Sequence, residues 1–209
     1  MQHNLLDGDT YQQEVITIVF NDYWFGEFTG IHSDNLKENI ETWKQQHPKR
    51  KHLPMDWLGK TRNGMLPSWN RFINCPSRII QDTWKKDLNE YTTFCIEQQH
   101  VPRAYLDECI VAVIQFRPTK AKADNDNTYI KASLDASVKN EIIKEDNYTV
   151  VRYVGSFTVY KKENPRTELR FYPIYPGVFD FEFVMDYMNE DIKHLEKIYS
   201  FSGCFQNQT

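Results

Sequence analysis

The chain has 209 residues, 40% of them hydrophobic and 14% aromatic, with a formal net charge of −4. That length and apolar content suit one domain with a substantial core and an embellishment, and no apolar run approaches the roughly 18 residues that span a bilayer. Cys75, Cys95, Cys109 and Cys204 lie far apart with no C-x-x-C pair, which argues against a zinc site or a disulfide framework.

Met1-Gln2-His3-Asn4 opens no basic-then-apolar secretion signal, so with unpaired cysteines a cytoplasmic protein is expected. Glu14 to Phe20 is rich in β-branched residues and reads as a strand. Tyr23, Trp24, Phe25 and Phe28 follow in a mixed region, and for Trp24, Phe25 and Phe28 packing in the core or at a dimer interface outweighs stacking on bases. A helix is expected near Ser33 to Gln46 with Ile40 and Trp43 on its apolar face. The basic, proline-punctuated stretch His47 to Pro54 reads as a loop. Ile80, Trp84, Leu88, Tyr91 and Cys95 recur at intervals of three or four, marking an amphipathic helix with Ser77 as its N-cap.

Asp107 to Arg117 is nearly continuous in apolar residues and is expected to be a strand buried on both faces. Ile130, Leu134 and Val138 predict a second helix ending near Asn140. Tyr148 to Lys161 and Thr167 to Ile174 read as strands joined in a hairpin through Lys162 to Arg166. Phe179, Phe181 and Phe183 alternate, as a short strand would, before a terminal helix over Met185 to Tyr199. The order strand, helix, strand, helix, strand, strand predicts a mixed α/β (α+β) fold with a small, partly antiparallel sheet.

Charge is unevenly placed. Between Asp180 and Glu196 there are six acids against one lysine, and without that segment the rest is close to neutral. Basic residues gather at Lys44, Lys49, Arg50, Lys51, Lys60 and Arg62, where a solvated loop is the plainer reading, and again at Arg117, Lys120 and Lys122. The six histidines (His3, His32, His47, His52, His100, His194) form no ligand spacing and are expected at the surface.

The chemistry concentrates after the central strand. Asp124-Asn125-Asp126-Asn127 sets two carboxylates one residue apart, ahead of Lys131, Asp135 and the pair Glu145-Asp146. Carboxylate oxygens are the ligands that Mg²⁺ and Mn²⁺ prefer. Asp126 or Asn127 could instead cap the following helix, and Lys131 with Asp135 has the i, i+4 spacing of a surface ion pair. An EF-hand is excluded, because Tyr129 stands where that loop requires Gly.

The segment Ala123 to Val151, with Asp124-x-Asp126-Asn127, Lys131, Asp135 and Glu145-Asp146, resembles the RusA family of phage and bacterial Holliday-junction resolvases. Upstream, Leu66-Pro67-Ser68-Trp69-Asn70-Arg71-Phe72 is similar to the family's proline-serine-asparagine entry motif. The resemblance covers residues 65–174, about half the chain. It implies a RusA-like nuclease core at 65–174, with 1–64 an extension or insertion around a first strand and 175–209 an acidic strand and helix appendage, all in one compact unit. It also implies a homodimeric, Mg²⁺- or Mn²⁺-dependent endonuclease acting on branched DNA. By position Asp124, Asp126 and Asp146 would be metal ligands with Glu145 beside them, and Lys131 would be the functional lysine. Asn70, Arg71, Arg117, Lys120 and Lys122 would contact DNA. Glu145 stands where the family has aspartate, and the acidic chain differs from the often basic family members. The alternative is an inactive relative of the same fold that binds DNA or protein.

Overall fold

Cys109–Arg117 (β2) carries the most continuous apolar run of the chain, and every residue from Cys109 to Phe116 is buried. A strand apolar on both faces must lie inside a sheet and between two layers. The computed structural model, which describes residues 14–31, 36–49, 66, 72–75, 77–119, 128–175, 177–178 and 180–201, places it so. Ile16–Asn21 (β1), β2, Val151–Tyr160 (β3) and Arg166–Pro173 (β4) form a four-stranded sheet in the order β1-β4-β2-β3. β3 runs parallel to β2, and β4 lies antiparallel to both β1 and β2, giving the mixed sheet of an α+β fold.

Five helices accompany the sheet among the described residues: Asp22–Thr29 (α1), Leu36–Gln46 (α2), Arg78–Gln98 (α3), Lys131–Lys139 (α4) and Phe181–Phe201 (α5). Alternation along β2 sends Cys109, Val111 and Val113 into a core with Leu88, Tyr91 and Cys95 of α3 and Leu134 of α4. Ile110, Ala112, Ile114 and Phe116 point the other way, into a core closed by Val184, Met188 and Ile192 of α5. The sheet is thus sandwiched, with α3 and α4 on one face and α5 on the other.

β3 and β4 do not form the expected hairpin. Both pair with β2, from opposite sides, so the chain between Tyr160 and Arg166 crosses the end of β2. Two strand spacings are roughly 10 Å, which five extended residues span easily. The burial explains the choice. β4 is buried at six of its eight positions and sits inside, whereas β3 is buried at three of ten and forms an edge.

The alternating phenylalanines are not a strand either. Phe181 and Phe183 are exposed in the first turn of α5, where the Asp180 carboxylate accepts from the Phe183 amide at 2.9 Å. Phe179 lies outside the described residues. The helical repeat Val184, Met188, Ile192 faces the sheet and overrides the local alternation.

α1 falls in the stretch whose pattern was mixed. Asn21 caps it, accepting from the Trp24 amide at 2.9 Å, and Gly30 ends it in the left-handed region at φ 70°. Trp24, Phe25 and Phe28 are partly buried and pack on the core around Tyr91 and Phe94 of α3. Ser77 holds the N-cap position of α3, although its hydroxyl makes no capping bond. His47, His100 and His194 are exposed.

Candidate functional site at the start of α4

α4 begins at Lys131, with Ile130 in the N-cap position and no side-chain cap. Asp126 and Asn127, the residues expected to cap this helix, lie outside the described residues. Its small residues Ala132, Ser133, Ala136 and Ser137 are buried against α3, joined to it by Thr92 Oγ1 to Ser133 Oγ at 3.1 Å and Asn140 Nδ2 to Thr93 Oγ1 at 3.0 Å. The opposite face of α4 carries Lys131 and Asp135 to solvent. Lys131 Nζ lies 3.0 Å from Asp135 Oδ1 and also donates to Asp146 Oδ2, across 15 residues of chain.

Asp146 is delivered by a loop that the sheet holds tightly. Leu106 bridges Ile143, the Lys144 amide donates to the Leu106 carbonyl at 3.1 Å, and Ile142 and Ile143 are fully buried. Asn147 then turns the chain into β3, its Oδ1 accepting from the Thr149 amide at 2.9 Å and the Thr149 hydroxyl at 2.6 Å. The same Asn147 donates through Nδ2 to Glu145. Glu145 consequently turns to Asn147, while Asp146, with only 23% of its side chain exposed, turns to Lys131. The two neighbouring acids do different work.

Asn70, Arg71, Lys120, Lys122, Asp124 and Asp126 lie outside the described residues. Of the expected DNA contacts, Arg117 is described. It ends β2 and directs Nε and Nη2 to the Gln115 side-chain oxygen at 3.0 and 2.6 Å. Gln115, only 4% exposed, donates its Nε2 to the Thr128 hydroxyl. Partial burial pulls the Arg117 pKa below its ordinary value. Gln115 and Thr128 escaped the sequence reading, although one polar residue in the run CIVAVIQF was a signal that it is held by a bond. Thr128 also lines a cleft of about 330 Å³ with Val113, Ile130, Tyr153, Gly155 and Ser156. The Ser156 hydroxyl oxygen is buried there without a hydrogen-bond partner.

A second unanticipated group lies on the α5 face. Arg166, Glu168 and Arg170 alternate along β4, and Arg170 reaches Asp191 of α5 at 2.6 Å. Tyr172 donates its hydroxyl to the same Asp191 at 2.7 Å.

No protein-family model matches the chain, and no curated protein matches it significantly. Among the described residues no three His, Cys, Asp or Glu side chains are grouped to hold a metal ion. Nor is any described helix long and apolar enough to cross a membrane.

Proposed function

We propose that the chain is a metal-dependent, structure-selective DNA endonuclease that hydrolyses phosphodiester bonds in Holliday junctions or related branched DNA, acting as a homodimer. The observation that carries this reading is the meeting of Lys131 and Asp146 beside Asp135. Lys131 and Asp146 are functional positions that the RusA resemblance assigns, and they come together from a helix start and a distant loop.

The donor chemistry fits Mg²⁺ or Mn²⁺. Asp146 is a hard oxygen donor already gathered around a cation, the Lys131 ammonium, on a half-exposed shelf. Asp146 together with Asp124 and Asp126 would hold the ion, which when bound lowers the pKa of a water and screens phosphate charge. Asp135 keeps the Lys131 amine oriented at the head of α4. From there the ammonium can stabilise charge developing on the scissile phosphate.

The test is cleavage of a synthetic four-way junction in Mg²⁺ or Mn²⁺. Asp126→Asn and Asp146→Asn abolish cleavage while circular dichroism is unchanged, and Lys131→Met slows it by about 10²–10³. Full activity in both aspartate variants would overturn the assignment. An inactive relative would bind Mn²⁺ weakly and cut nothing.

A further inference from the structure

Arg103, Arg152, Arg166 and Arg170 each pair with a carboxylate. Arg117 is different. Among the described residues its polar contacts are both to one uncharged atom, Gln115 Oε1, and burial is the cause that shifts its basicity. A partly desolvated guanidinium with no carboxylate partner among the described residues is suited to receive an anion, because an incoming anion restores the solvation that burial removed.

The bracing is specific. Gln115 commits Nε2 to Thr128, so its oxygen faces Arg117, and a flipped amide would turn a donor towards the guanidinium and lose both Arg117 bonds. Nε and Nη2 are engaged by that oxygen, which leaves both Nη1 hydrogens and one on Nη2. Those form the end-on fork that matches two phosphate oxygens. Thr128, the other end of this chain of bonds, stands three residues before Lys131. In the cleft that Thr128 lines, the Ser156 hydroxyl is buried with no hydrogen-bond partner among the described residues.

We propose that Arg117, braced by Gln115 and Thr128, is the receptor for a backbone phosphate of the DNA strand that reaches the Lys131–Asp146 site. The proposal rests on the endonuclease reading, in which Arg117 is already an expected DNA contact, and adds to it the phosphate as its ligand and Gln115 as its brace. Arg117 contacts the phosphodiester, and Gln115 is a positioning residue that acts through Arg117.

The experiment is binding of a fluorescent four-way junction by anisotropy in EDTA, where nothing is cut, over a range of salt. Wild type is compared with Arg117→Met, Arg117→Lys, Gln115→Met and the Gln115→Met/Arg117→Met double variant. Loss of one phosphate contact flattens the slope of log affinity against log salt by about one. Arg117→Met shows that flattening and binds about tenfold more weakly. Arg117→Lys recovers part of the slope. Gln115→Met weakens binding in the wild-type background and adds nothing to Arg117→Met, a non-additivity that general destabilisation would not produce. Should Gln115→Met fail to fold, the two Arg117 variants decide alone. Wild-type slope and affinity in Arg117→Met would overturn the proposal while the endonuclease reading stands. A wild type that binds but does not cut leaves the Arg117 result valid and removes the catalytic reading. A wild type that binds no junction, duplex or single strand overturns both.

Discussion

Glu168 is 5% exposed and sits between two arginines, which makes it the charge whose loss the fold should feel most. Its carboxylate accepts from Arg166 Nε at 2.6 Å and from Arg170 Nε and Nη2 at 2.9 and 2.6 Å. Burial alone would lower the Arg170 pKa, but Glu168 and then Asp191 overcome it and hold the guanidinium above its ordinary range. Arg166 also lies over the Phe116 ring, its guanidinium carbon 3.7 Å from the centroid. Glu168→Gln keeps the shape and removes the charge, leaving Arg170 with Asp191 and the largely buried Arg166 without a carboxylate among the described residues. Removing one member of a buried ionic group costs about 3–5 kcal/mol. Urea unfolding should show that loss as a lower midpoint at unchanged slope, whereas Lys193→Ala, which breaks an exposed pair with Glu190, should change stability by less than about 1 kcal/mol. Equal small effects from both would show that the β4 arginines are hydrated well enough not to need the carboxylate.

At the scale of elements, what was legible is what a local pattern encodes. Ile80 to Cys95 at three- and four-residue spacing became α3, and the unbroken run through Ile114 became β2 at the sheet centre. Strand pairing was not legible, because β3 and β4 were read by their adjacency in sequence. Their partner is set by burial, which puts β4 on the interior and β3 at the edge. α1 was missed because its apolar residues are aromatic and poor helix formers, so its caps carry the start and stop. Of the candidate site, the spacing of Lys131 and Asp135 was legible. The opposed directions of Glu145 and Asp146 were not, since they depend on the turn at Asn147. The α1 account can be tested at Asn21, whose side chain caps the helix and whose carbonyl accepts from Tyr91 at 3.3 Å. Asn21→Ala removes only the cap and should cost about 0.5–2 kcal/mol. That corresponds to a fall in Tm of a few degrees, about 2–4 °C per kcal/mol for a domain of this size. A Tm unchanged within about 1 °C would mean that packing of Trp24, Phe25 and Phe28 holds α1 without its cap.

On the scale of the whole molecule, the sheet separates two electrostatic faces. The Lys131–Asp146 site lies on the α4 side, and the acids of α5 lie behind β2, where Glu182, Asp186 and Glu190 are exposed. For the proposed endonuclease a net charge of −4 opposes phosphate binding, and this separation reduces that cost. A helix with its side chains is roughly 10–12 Å across, so α4 and α5, with a sheet between them, are on the order of 20 Å apart. The Debye length is about 8 Å at physiological ionic strength and about 30 Å at 0.01 M. The rear acids are therefore screened from the front face in the cell and felt there only in dilute salt. Glu182→Gln, Asp186→Asn and Glu190→Gln combined should leave junction affinity within about twofold of wild type near 0.15 M salt and raise it clearly near 0.01 M. Anisotropy titrations at the two salt concentrations measure both quantities. A gain of tenfold or more at the higher salt would mean that DNA lies against α5, and would move the binding face to the other side of the sheet.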